Sequence, residues 1–133
     1  MGFNPKIWGS KAWHFIHFVA LAYPENPTQE IRDKYYEFYK SIGNVLPCPA
    51  CAENYRAKFA NIPPDLENSE KLFRWTVDIH NFVNIENQKP QLSYEEAKAI
   101  YLKKNTFNDR NQIAFSLLMA VLVMASAFAI KKK

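Results

Sequence analysis

Cys48 and Cys51, in Leu46-Pro47-Cys48-Pro49-Ala50-Cys51, are the only two thiols in the 133 residues. Two intervening residues bring such a pair within disulfide reach. At the start of a helix, unsatisfied N–H groups and the helix dipole also stabilise a thiolate, the form that exchanges with other thiols. Pro49 suits a first helical turn, so this placement is expected. The same spacing serves other chemistry. Zinc would need two further ligands. The only histidines are His14, His17 and His80, and His-x-x-His ahead of Cys-x-x-Cys is not a familiar ligand order. A thioredoxin-like site needs strands around the motif, and no clean period-two alternation is present. Two inert buried thiols would leave unexplained why prolines bracket Cys48 and why both cysteines lie at a helix start. The reading favoured here is a redox disulfide in a helical setting, with no metal.

The elements that must position this pair read as helices. Trp13, Ile16, His17 and Ala20 fall at helical spacing before Pro24, which predicts a helix over about 10–22. Thr28 can cap a second helix to about Gly43, with Ile31, Tyr35, Phe38, Tyr39 and Ile42 as its apolar face. A third opens at Cys48 and continues through Tyr55 and Phe59 until Pro63-Pro64. Ser69 can cap a fourth through about Asn87, and Ser93 with Glu96 forms a capping box for a fifth through Tyr101. The expected fold is all-α: a small helical bundle with a four-helix core and a short fifth helix.

The fourth helix carries two faces. Leu72, Trp75, Ile79 and Phe82 form an apolar stripe, while Val77, His80, Asn81 and Asn84 form a second. With Lys89, and with Trp13 and His17 as an i,i+4 pair on the first helix, these groups would suit a flat heteroaromatic ligand bearing phosphate. The plainer reading has His80, Asn81 and Asn84 facing water.

Charge is unevenly distributed. The net +4 includes Lys131-Lys132-Lys133, and all 13 acids precede them, so residues 1–112 are nearly neutral and no nucleic-acid partner is expected. Residues 113–130 contain no charged side chain, and only Ser116 and Ser126 are polar. As a helix this stretch reaches about 27 Å, against about 30 Å for a hydrocarbon core. The expected organisation is a domain over 1–104, a juxtamembrane linker over 105–112, a C-terminal transmembrane helix over 113–130 and a basic tail over 131–133. No apolar leader precedes the domain. The expected location is a membrane, through a single-pass tail anchor with the domain in the cytosol.

Trp8-Gly9-Ser10-Lys11-Ala12-Trp13-His14-Phe15-Ile16-His17, then Cys48-Pro49-Ala50-Cys51, then Trp75 and His80-Asn81-Phe82-Val83-Asn84 with Lys89-Pro90, resemble the Erv/ALR family of FAD-dependent sulfhydryl oxidases in order and spacing. The resemblance covers about residues 8–101. It implies an FAD-binding helical bundle, commonly a homodimer, that forms protein disulfides. Electrons would pass from a protein dithiol, or from a small dithiol carrier protein, through Cys48 and Cys51 to FAD. Dioxygen would then receive them, giving hydrogen peroxide. Cys51 would be the flavin-proximal sulfur and Cys48 the one that meets incoming thiols. The cofactor-binding residues implied are Trp8, Gly9, Ser10, Trp13, His17, Val77, His80, Asn81, Val83, Asn84, Lys89 and Tyr101.

Departures from the family pattern are also visible. Val77 and Tyr94 stand where many members close a structural disulfide, Ser10 stands where a basic residue is frequent, and no distal shuttle pair of cysteines is present. Short membrane-linked versions resemble those of large cytoplasmic DNA viruses, which would make the membrane that of a host or virion. The competing reading is a non-enzymatic, tail-anchored helical adaptor. Its aromatic surface (Tyr35, Tyr36, Phe38, Tyr39, Phe73) would bind a partner, and its cysteines would be structural or hold zinc.

Overall fold

Helix starts are set by short polar caps. Asn4 accepts a hydrogen bond from the Lys6 amide and Pro5 takes the first helical position, so α1 runs Pro5–Leu21 and begins well before the expected start near 10. Thr28 caps α2, Gln29–Val45, as expected. Cys48 caps α3, Pro49–Asn61. For α4, Ser69–Glu86, the cap is Asn68 rather than Ser69: its side-chain oxygen accepts from the Lys71 amide at 2.9 Å. The computed structural model describes residues 2–103, 113 and 115–120, and among them there is no strand. The chain divides into two compact units, Met1–Tyr94 and Glu95–Lys133.

In the first unit α1 packs on α4 and α2 on α3. The most buried element is α4, whose Leu72, Phe73, Trp75, Thr76, Val77 and Ile79 are all buried. Phe82 departs from the expected stripe and is 40% exposed. Aromatic hydroxyls tie the elements together: Tyr39 donates to the Ile16 carbonyl (3.2 Å) and Tyr55 to the Tyr39 carbonyl (2.8 Å). Trp75 meets Tyr39 and Phe59 edge-on, with centroids 5.1 and 6.1 Å away, and its indole N–H donates to the Ile62 carbonyl. Tyr39 and Phe73 are therefore core residues, which removes two of the five aromatics that an adaptor surface would require.

A fifth helix, α5, spans 94–103, and in the second unit its Ala97 and Tyr101 are buried. Residues 115–120 are also helical. No helix of the described residues is long and apolar enough to cross a membrane. This overturns the expected membrane localisation with a cytosolic domain; of the expected anchor over 113–130, only residues 113 and 115–120 are described. The expected linker over 105–112, residues 114 and 121–130 and the basic tail lie outside the described residues.

Candidate functional site: a disulfide on the wall of an aromatic cavity

The sequence around the cysteines places them as their types require. Cys48 has extended backbone (φ −143°) and Pro49 begins the helix, leaving the Cys48 sulfur to accept the Cys51 N–H at 3.2 Å. The two are joined in a disulfide with Cα atoms 5.2 Å apart. Cys51, but not Cys48, lines a mainly apolar cavity of about 300 Å³. The sulfur pair thus has one member on the cavity wall and one away from it.

Four helices build that wall. Trp8, Gly9, Ala12, Trp13 and Ile16 come from α1, Ile42 from α2 with Leu46 just beyond it, Asn54 and Tyr55 from α3, and Val83 and Glu86 from α4. At its polar edge Lys58 bonds both Glu86 and Asn54, and the Asn54 amide donates to Glu86 at 2.8 Å. The Lys58 hydrogen bond is the main reason that the Glu86 carboxyl lies below its ordinary pKa. Asn54, Tyr55, Glu86 and the pair Ile42/Leu46 were not identified from sequence. Helical offsets of three and four from Cys51, and of three from Val83, are the signal that points to the first three.

Trp13 connects the cavity to a buried polar cluster. Its ring stacks on His80, with centroids 4.2 Å apart and planes 5° from parallel. His80 Nδ1 lies 3.0 Å from His17 Nε2, and His17 Nδ1 lies 2.9 Å from the Thr76 hydroxyl. His17 is 2% exposed. Desolvation, followed by the neighbouring His80 and His14, lowers its pKa to about 3. Desolvation, then Lys89 and His14, lowers that of His80 to about 4. Both rings are neutral at physiological pH.

The remaining expected residues take varied places. Asn81 forms a two-bond clamp on the backbone of Leu92, donating to its carbonyl (2.8 Å) and accepting from its amide (3.0 Å). The Asn84 carbonyl accepts the Lys89 amide at 2.8 Å, and Gln88 holds positive φ (54°) in the same turn. Val77 is buried in the core. Ser10 is exposed, and its carbonyl accepts from His14 Nδ1. Tyr101 belongs to the second unit, where burial pushes its hydroxyl up to about 12. Tyr94 donates to Asp78 at 2.6 Å and lies beneath the Arg74 guanidinium, 4.7 Å from the ring centroid.

These residues fit a flavin. The cavity is mainly apolar, with the rings of Trp8, Trp13 and Tyr55 and a disulfide sulfur of Cys51 among its lining. A Cβ built on Gly9 would meet no protein atom within 4 Å, so glycine there leaves cavity space that the protein itself does not fill. Among the described residues no group of three or more His, Cys, Asp or Glu side chains could hold a metal ion.

Fold and site together define a helical-bundle redox protein with one exchangeable disulfide. Residues 10–106 match the Erv1/Alr family. The "Probable FAD-linked sulfhydryl oxidase R368" of Acanthamoeba polyphaga mimivirus is 44% identical over 97 residues, covering 71% of this chain and 68% of that protein. The FAD-linked sulfhydryl oxidase of African swine fever virus is 30% identical over 94 residues, covering 71% and 79%. The crystal structure of the FAD binding domain of Erv1 from Saccharomyces cerevisiae matches with a TM-score of 0.71 at 27% identity, covering 74% of this chain and 95% of that one. The chain belongs to the Erv1/Alr family.

Proposed function

We propose that this protein is an FAD-dependent thiol oxidase of the viral type, forming disulfides in protein dithiols through Cys48 and Cys51, with dioxygen as final acceptor and hydrogen peroxide as product. The observation that carries this reading is a helix-capping disulfide with one sulfur on the wall of an aromatic cavity. The names of the mimivirus and African swine fever virus relatives support both the reaction and the cofactor.

A substrate thiolate attacks Cys48 Sγ, the Cys48–Cys51 bond breaks, and its electron pair leaves on Cys51 as a thiolate facing the cavity. The second substrate thiol loses its proton to water and attacks the mixed disulfide. Cys48 departs as a thiolate and the substrate leaves oxidised. The Cys51 N–H and the α3 N-terminus stabilise that departing thiolate, which makes Cys48 a good leaving group. When bound, FAD supplies the two-electron acceptor that lets the pair re-form its disulfide and passes the electrons to dioxygen.

Trp8, Gly9, Trp13 and Val83 would hold the cofactor's flat surfaces, and His17 and His80 would form a neutral polar edge. Asn81 and Asn84 would position the segment that carries the Lys89 charge. Ser10, Val77 and Tyr101 enter this set by family resemblance, as do the boundaries 1–104 for the domain and the homodimer. A protein dithiol or small carrier protein is the expected electron donor.

The full chain should purify yellow. Cys51→Ser should keep its flavin spectrum but consume no oxygen with dithiothreitol. A colourless wild-type protein that takes up no FAD, or wild-type oxygen consumption by Cys51→Ser, would overturn the assignment.

A further inference from the structure

We infer that Thr76 is a positioning residue: it sets the tautomers of His17 and His80 and thereby leaves His80 Nε2 as a hydrogen-bond acceptor on the ring that stacks on Trp13. The chain of reasoning starts at a carbonyl, which can only accept. Thr76 Oγ1 lies 2.6 Å from the Phe73 carbonyl oxygen, so its single hydroxyl hydrogen points there. The same Oγ1 lies 2.9 Å from His17 Nδ1 and has only lone pairs left to offer, so His17 Nδ1 carries the proton. A neutral His17 then has a lone pair on Nε2. Its neighbour at 3.0 Å, His80 Nδ1, must donate to it. His80 is therefore protonated on Nδ1 as well, and its Nε2 carries a lone pair.

Burial makes this order firm. Thr76 and His17 are 0% and 2% exposed, which leaves no room for bulk water to supply an alternative partner. The Trp13 stack fixes the plane of the His80 ring, and Trp13 itself lines the cavity. Any group that meets His80 Nε2 must therefore be an N–H or O–H donor, such as an amino or hydroxyl group. An acceptor at that place would face lone pair against lone pair. Identifying the ligand as FAD rests on the proposed function, whereas the tautomer order rests on Thr76 alone.

The test is long-range ¹H–¹⁵N correlation NMR on the full chain labelled at histidine, recorded first on protein stripped of flavin and then with FAD added. Both His17 and His80 should be Nδ1–H in wild type. Thr76→Val removes the acceptor and should turn both rings to Nε2–H, with FAD affinity about tenfold weaker, the scale of one lost hydrogen bond. Thr76→Ser should restore the wild-type pattern and affinity. Nε2–H at His17 in wild type, or an unchanged Nδ1–H pattern in a folded Thr76→Val, would refute the inference. Should Thr76→Val fail to fold, the wild-type and Thr76→Ser spectra still decide it. Nδ1–H rings in a protein that binds no FAD would leave Thr76 in its role and remove the flavin reading instead.

Discussion

Gly9 on the cavity wall, and the His17–His80 pair behind Trp13, show what single residues set. No protein atom lies within 4 Å of a Cβ added at Gly9. Gly9→Val should therefore leave the melting temperature of the flavin-free protein essentially unchanged while weakening FAD binding about tenfold or more in a flavin titration. A stability loss with intact affinity would contradict that cavity assignment. His17 and His80 are held neutral, with pKa values lowered to about 3 and about 4. Below pH about 6.5 the unfolded chain takes up protons at these positions and the folded chain does not. Stability should accordingly be full above that pH and fall as acid is added towards pH 4. Melting curves across this range should show a shallower slope for His80→Gln; an equal slope would exclude the pair as the cause. At this scale much of the site was legible. The cysteine pair, Trp13, His17 and His80 declare themselves by type and spacing, whereas Asn54 and Glu86 are ordinary polar residues whose importance comes only from facing Cys51's cavity across α3 and α4.

Elements were legible to the extent that their caps were. Thr28 caps its helix where the pattern expects it, whereas α1 starts earlier, at Asn4-Pro5, and α4 is capped by Asn68 and not by the neighbouring serine. Apolar periodicity locates the body of a helix and says little about its first turn. What spacing could not supply was the fastening of Leu92 and Tyr94 to α4. There Asn81 clamps Leu92, Tyr94 bonds Asp78, and Arg74 covers the Tyr94 ring. The side chains that meet here come from opposite ends of a turn, and neither end announces the other. Tyr94→Phe keeps the ring under Arg74 and removes only the hydroxyl contact. It should lower stability by about 1 kcal/mol and speed hydrogen exchange at the Leu92 amide. Unaltered exchange there would mean that the Asn81 clamp alone holds the segment.

For the whole molecule, the all-helical class followed from the pattern, but the pairing of α1 with α4 and α2 with α3 did not, because amphipathic faces do not name their partners. Trp75 is where those pairs interlock, touching Tyr39 and Phe59 and bonding Ile62. Trp75→Ala should cost about 3–5 kcal/mol in denaturant unfolding, whereas Phe82→Ala, at a position 40% exposed, should cost well under half of that. Comparable losses would show that the aromatic cluster is not the core's centre. The fastening of Leu92 and Tyr94 to α4 also has a chemical consequence. It contains no sulfur, and the chain's two cysteines are both in the working pair. A thiol count is therefore a direct count of turnover state: zero when oxidised, one in the mixed disulfide and two when reduced, with nothing structural to subtract. A glutathione-rich surrounding can empty the working pair without unfastening the scaffold, so such a protein can be poised electrochemically as one two-electron couple while its shape stays out of the titration.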